Sequence, residues 1–346
     1  MQAWLCETLD GAEALHWRDL PTPEPGAGEV RIAVQAASLN FPDLLIVLGK
    51  YQFKPPLPFV PGSEAAGIVS EVGSEVTGLT VGDHVVASGW GGMFAEEAML
   101  PARSVRRIPA GMDLIEAAVF PVSYATAWHA LVDRGQVQPG ETVLVLGAGG
   151  ATGYAAVQVA KHRGARVIAS ASSEATRALA MAGGADAAVE ARADDWRDQV
   201  KQANGGRPVD VVFDPVGGDA TDPAFRCLGW GGRHLVIGFP GGIAALRTNL
   251  PLLKGAALVG VVRDDVGIAD PAKPDALPGA ELLVDGVGSP DGVVFCFEKG
   301  IVGKLAEGLA IEEILAASHP HQEGQDEEED VFMNHYFFHG DNRLWF

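Results

Sequence analysis

Along the first hundred residues, apolar positions come in short runs: Val30–Ala36, Ala66–Val72 and Asp83–Ala87. Each is bounded by proline or glycine segments such as PEPGAGE and VGDH. Runs of this length between turn-forming residues predict short, mostly antiparallel strands of an irregular β domain. Around Pro139 the pattern changes. TVLVL (142–146) is apolar without a break, as a parallel strand covered on both faces must be. Glycines follow, then a helix predicted over Tyr154–His162. ARVIAS (165–170), a helix over Glu174–Ala182, AAV (187–189) and a helix over Asp195–Gln202 continue the alternation, with strands at VDVVFD (209–214), RHLVIG (233–238) and ALVGVV (257–262). This order of strands and helices predicts a doubly wound parallel sheet, an α/β fold. Beyond Val262 the pattern weakens into a Pro-, Gly- and Asp-rich stretch. An amphipathic helix is predicted over 303–317 and a solvated acidic run over 321–330; the aromatic end, FMNHYFFHGDNRLWF, has no clear reading.

Length and composition narrow the picture. A chain of 346 residues is long enough for two domains with separate cores. With 47% hydrophobic and 20% charged residues it is globular and not disordered as a whole. The net charge of −20 repels nucleic acid and anionic lipid, so neither is expected as a partner. Residues 307–346 carry ten acids and one arginine, nearly half of that net charge. Cys6, Cys227 and Cys296 lie too far apart for a CxxC site and are odd in number, which suits a reducing compartment. The N-terminal residues have acids where a signal peptide needs bases. The longest apolar stretch, Val143 to Val157, is too short and glycine-rich to span a bilayer. A cytoplasmic, membrane-free protein is expected.

Candidate chemistry begins with GAGGATG, which places Gly147, Gly150 and Gly153 at three-residue spacing directly after the buried strand. Small residues there let backbone approach a pyrophosphate, whose charge sits on the free N–H groups opening the next helix. The spacing alone is weak in a chain with 44 glycines, but the strand before it and helix after it supply the context of a dinucleotide site. An NAD site normally places an acid at the end of the second strand to grip the ribose 2′-hydroxyl. Here the chain has Ala171, Ser172 and Ser173, with Arg177 on the helix. Hydroxyls and a guanidinium suit a 2′-phosphate, so NADPH is expected as cofactor.

Several segments taken together resemble the zinc-independent quinone oxidoreductases of the medium-chain dehydrogenase/reductase superfamily. They are SLNFPDLLIVLGKY (38–51), LPFVPGSEAAGIVSEVG (57–73), VGDHV (81–85), FPVSYATAWHAL (120–131), VQPGETVLVLGAGGATGYAAVQVAK (137–161), GADAAV (184–189), DPVGGD (214–219), GGRHLVIGF (231–239) and LPLLKG (250–255). The resemblance covers essentially residues 1–262. It implies a GroES-like β-rich catalytic domain (1–122), a Rossmann NADP-binding domain (123–262), an active site in the cleft between them, and a homodimer. Residues 263–346 are expected either to return to the catalytic domain or to stand as a divergent extension.

The resemblance also implies site residues. Zinc-dependent relatives place a histidine before the glutamate of the PG-x-E motif and a cysteine near the SLN segment. This chain has Ser63 before Glu64, and Asn40, Phe41 and Asp43 near SLN, so no catalytic zinc is expected. His84 and His129 are isolated and read as packed or surface residues. Without a Lewis acid, alcohol oxidation is a poor fit, whereas a quinone or activated enone accepts hydride with hydrogen bonds alone. Related enoyl-thioester reductases carry an asparagine and a tyrosine where Asn40 and Tyr51 fall. Their implied roles are binding the acceptor oxygen and donating or orienting a proton. Thr126, Gly238 and Phe239 match residues near the nicotinamide.

Two departures stand out. Glu190, Ala191 and Arg192 replace a tyrosine that contacts the cofactor phosphate in many relatives. The family's closing helix pair and GKVVL-type strand are missing after 262, with VFCFEKGIVGKL (294–305) a faint candidate for part of it. The altered C-terminus leaves open a non-catalytic NADPH-binding role with a disabled pocket. Enoyl-thioester reduction is a second enzyme reading, for which the chain shows no evident basic entrance to take a phosphopantetheine carrier. His319, His321, His335 and His339 offer a lesser metal-binding reading of the tail.

Overall fold

The computed structural model describes residues 1–262 and the backbone of a short strand at 296–298. The predicted helix at 303–317, the acidic run and the four tail histidines lie outside the described residues. The chain opens with an antiparallel pair, β1 (Gln2–Cys6) and β2 (Leu15–Asp19). β3 (Glu29–Ser38) alternates buried Val30, Ile32 and Val34 with outward Arg31 and Gln35, which binds one face of the strand to a core. After α1 (Phe41–Val47) come β4 (Glu64–Val72), β5 (His84–Ser88), β6 (Glu97–Pro101) and β7 (Val105–Arg107). β3 pairs antiparallel with both β4 and β6, while β4 pairs with β5 and β5 with β7. Val30, Ile32, Val69, Val85, Met93 and Leu100 form the core of this GroES-like β domain.

α2 (Leu114–Ala118) and α3 (Phe120–Trp128) carry the chain onward. Neither was predicted from sequence. Their proline and their short, nearly all-round apolar stretch hide the helical period, and packing on other elements decides the conformation.

The second sheet contains β8 (Thr142–Leu146), β9 (Arg166–Ala171), β10 (Ala187–Glu190), β11 (Val209–Asp214), β12 (Leu228–Val236) and β13 (Ala257–Gly260). The connecting helices are α4 (Ala151–His162), α5 (Glu174–Ala182), α6 (Trp196–Ala203), α7 (Thr221–Cys227) and α8 (Asn249–Lys254). The spatial order is β10-β9-β8-β11-β12-β13, all parallel. Every residue of β8 is buried, matching its unbroken apolar sequence. The chain leaves β8 for β9 on one side and reaches β11 on the other, so a crevice opens above the carboxyl ends of β8 and β11, where ligands bind in such sheets. The predicted strand at 233–238 is the second half of β12, which ends at Val236; Gly238 and Phe239 lie in the loop beyond.

The last described strand, β14 (Cys296–Glu298), lies antiparallel to β3, with Cys296 opposite Ser38. Among the described residues, no helix is long and apolar enough to cross a membrane.

Candidate functional site

The crevice between β8 and β11 is lined by glycines for a steric reason. A Cβ on Gly153, inside the first turn of α4, would lie 2.2 Å from the Gly147 carbonyl oxygen, so only glycine lets helix and loop approach this closely. Gly147 itself has φ of +56°, a left-handed conformation that turns the chain off β8. A Cβ on Gly149, which the three-residue spacing skipped, would lie 2.3 Å from Thr176 on α5. Gly150 caps α4 without a side-chain hydrogen bond, and a Cβ there would meet only the Gly147 oxygen, at 3.5 Å. The α4 first turn therefore presents backbone N–H groups beside open space, the arrangement that receives a pyrophosphate. Gly147, Gly150 and Gly153 thus come together at one place, and these residues fit a dinucleotide.

At the end of β9, Ser172 is half-buried and Ser173 caps α5, exchanging hydrogen bonds with Thr176. Arg177 reaches back from α5 to donate to the Ala171 carbonyl oxygen at 3.2 Å and pairs with the Glu190 carboxylate. Its guanidinium stands beside the ends of β9 and β10, already sharing its charge with an acid.

Above β11 and β12, two loops are joined through their backbones. Gly218 N–H donates to the Gly242 oxygen at 2.7 Å, and Gly241 N–H to the Val216 oxygen at 2.8 Å. Asp214, at the end of β11, holds the first loop: Oδ1 accepts from the N–H groups of Val216 and Gly217, while Oδ2 accepts from Thr221 Oγ1 and bonds His234 Nε2. Burial pushes this carboxyl upward, but the bonds from His234, Gly217 and Thr221 outweigh burial and leave it below its ordinary range. Gly238 and the half-exposed Phe239 sit in the second loop. Sequence reading passed over Asp214, although it heads the DPVGGD segment.

On the β-domain side, the chain between β3 and α1 and the start of β4 build a polar cluster. Asn40 and Asp43 form a capping box that starts α1. Asp43 is buried; Oδ2 accepts from Asn40 N–H at 2.8 Å and Oδ1 from Ser63 Oγ at 2.6 Å. Glu64 is wholly buried; Oε1 accepts from Asn40 Nδ2 at 2.9 Å and Oε2 from the Val122 N–H of α3 at 2.7 Å. Burial outweighs these hydrogen bonds, pushing Asp43 up to about 6 and Glu64, which also feels Asp43, up to about 7. Thr126 lies one helical turn beyond Val122, partly buried.

Tyr51 is close enough to Asp43 to feel its charge. Burial first and that charge second raise its hydroxyl, so it holds its proton across neutral pH. Its ring lies 5.8 Å from the Trp90 ring, and Phe53 lies 5.2 Å from the same indole. Trp90 was not singled out from sequence, because an aromatic in a glycine-rich loop has no periodic signal. Asn40 and Tyr51 are thus gathered around one carboxylate, Asp43. The expected absence of a ligand set for zinc concerns the same place: Asp43 and Ser63 are bonded to each other. Among the described residues, no three His, Cys, Asp or Glu side chains are grouped to hold a metal ion.

Comparison with known proteins agrees with this architecture. Residues 26–110 match the family described as "Alcohol dehydrogenase GroES-like domain", and residues 151–273 the family described as "Zinc-binding dehydrogenase". Quinone oxidoreductase-like protein 2 of Rattus norvegicus is 40% identical over 275 residues, covering 75% of this chain and 79% of that protein. The solved quinone oxidoreductase of Thermus thermophilus, described also in complex with NADPH, is 33% identical with a TM-score of 0.67, covering 83% of this chain and 85% of its own. That of Pseudomonas syringae pv. Tomato is 28% identical with a TM-score of 0.74, covering 83% and 88%. The chain belongs to the medium-chain dehydrogenase/reductase superfamily, in its quinone oxidoreductase-like branch, and is an oxidoreductase.

Proposed function

We propose that this member of the quinone oxidoreductase-like branch is an NADPH-dependent reductase that delivers hydride to a quinone or activated enone without a metal ion. The observation that carries this reading is the acceptor side of the site. There Asn40 and a protonated Tyr51 both adjoin Asp43, and the Tyr51 ring lies beside that of Trp90, which Phe53 also approaches. A planar conjugated acceptor fits such an aromatic wall, and its developing oxyanion needs only hydrogen-bond donors.

The cofactor, when bound, supplies the hydride. Gly147, Gly150 and Gly153 would hold its pyrophosphate, Ser172 and Arg177 its ribose phosphate, and Thr126, Gly238 and Phe239 its nicotinamide end. Arg177 would then divide its charge between the phosphate and Glu190. Asn40 binds the acceptor oxygen, and Tyr51 keeps a proton at its hydroxyl for the reduced product. The Thermus thermophilus relative, described with NADPH, supports this cofactor. The site's chemistry favours a metal-free reading: Asn40, Ser63 and a hydrogen-bonded Asp43 supply neither thiolate nor imidazole.

A homodimer is part of the proposal. β13 is the edge of its sheet among the described strands; Leu258 on it is exposed, as are Leu252 and Leu253 on α8 and Trp230 on β12. Cys6 and Cys227 are free thiols, which supports a cytoplasmic location.

The test is steady-state NADPH oxidation with a panel of 1,4-quinones and enones, beside fluorescence titrations with NADPH and NADH. Turnover with quinones, tighter binding of NADPH, and a Tyr51→Phe variant that binds NADPH but turns over at least about tenfold more slowly are expected. Binding without turnover on any acceptor would defeat the proposal.

A further inference from the structure

Glu64 presents a physical puzzle. A wholly buried carboxylate is costly, and its charged neighbour, Asp43, carries the same sign. Its surroundings are drawn from three elements: the Ser38 side chain at the end of β3, the Asn40 amide capping α1 and Asp43 within it, and the Val122 N–H of α3. Three of these are hydrogen-bond donors to it. Asp43, by raising it further, is the charged group acting on it from the elements packed there.

The atoms in contact explain what that arrangement does. An ionised carboxylate only accepts hydrogen bonds, so the Asn40 amide must turn its Nδ2 toward Glu64, at 2.9 Å. The backbone of Asn40 is held separately, its N–H donating to Asp43 Oδ2 at 2.8 Å. With backbone and amide both pinned, Asn40 offers its remaining N–H and its carbonyl oxygen in one orientation. The second carboxylate oxygen of Glu64 is bonded to Val122, on the helix that carries Thr126.

We propose that Glu64 is a positioning residue for the acceptor: it selects the orientation of the Asn40 amide and braces it against α3. This rests on the reading of Asn40 as the acceptor-binding residue. A neutral group at position 64 has a donor of its own, so it can accept from Val122 while presenting that donor to Asn40. The Asn40 amide then has to reverse. Protonation of Glu64 in the wild type and the substitution Glu64→Gln therefore act alike.

The test is a double-mutant cycle in the full-length protein with Asn40→Ala, Glu64→Gln and the pair, read as acceptor KM and kcat with a 1,4-quinone, and as NADPH Kd by fluorescence. Expected is an acceptor kcat/KM lowered about tenfold in Glu64→Gln, the scale of one charge-assisted hydrogen bond, with NADPH Kd within about twofold. In the Asn40→Ala background the same substitution should cost almost nothing. Additive losses, or wild-type kinetics in Glu64→Gln beside a weakened Asn40→Ala, overturn the positioning role alone. Wild-type kinetics in Asn40→Ala overturn the acceptor-binding reading, and the positioning role with it.

The wild type supplies a second measurement, independent of whether the variants fold. Acceptor kcat/KM should fall on acidification from about pH 8 to about pH 6 while NADPH Kd stays level. A flat acceptor profile overturns the proposal.

Discussion

Alanine at position 153 would place a methyl carbon 2.2 Å from the Gly147 oxygen, a backbone atom that cannot swing aside. Gly153→Ala must therefore push α4 away from the loop after β8. The expected cost is roughly 2 kcal/mol of stability by equilibrium denaturation, with NADPH binding weakened at least about tenfold because the α4 N–H groups move. An unchanged Kd would remove this turn from the cofactor site. Gly147 and Gly153 were legible in the sequence because a steric requirement for glycine leaves a glycine. Glu64 and Asp43 were visible only as letters where relatives carry metal-ligating neighbourhoods. Their hydrogen bonds to Asn40, Ser63 and Val122 join residues up to 58 positions apart, and no local pattern records that.

At the scale of elements, the carboxyl end of β11 depends on Asp214. Four donors converge on it, and they hold the loop that is joined to the Phe239–Gly242 turn. Because its folded pKa is depressed, its contribution is fully present above the ordinary carboxylate range and is lost as pH falls toward the folded value. Asp214→Asn turns an amide NH₂ toward donors. It should cost roughly 3 kcal/mol at neutral pH, measured by urea denaturation, and remove that share of the acid sensitivity. Equal stability of variant and wild type at neutral pH would show that the network is dispensable. Strands β8 and β11 and helix α5 coincide with their sequence expectations residue for residue, since burial and capping act locally there. α4 begins three residues earlier than its pattern indicated, because Gly153, a poor helix former, occupies the first turn for reasons of packing. α2, α3, α7 and α8 left no readable period, being short and stabilised by what they pack against.

For the whole molecule, β13, the sheet edge among the described strands, argues for pairing of two copies, with Leu258 exposed on it and Leu252 and Leu253 exposed on α8. Light scattering on the eluting protein should return about twice the 36.1 kDa chain mass. Leu258→Lys should shift it toward the monomer, since lysine on an edge opposes strand pairing. A wild-type monomer at micromolar concentration would end the dimer proposal. The net charge of −20 opposes nucleic acid and anionic lipid and does not oppose a neutral acceptor of the proposed kind.

By itself, the sequence determined the two kinds of sheet, the order of the Rossmann elements and the glycine turn after β8. Each follows from burial, periodicity or steric need along neighbouring residues. Only the tertiary structure decided how Asn40, Asp43, Ser63 and Glu64 share hydrogen bonds, that the Trp90 ring lies beside Tyr51, and that β14 lies beside β3. These are meetings of distant segments, and their energies come from desolvation and geometry that exist only once the chain has closed on itself.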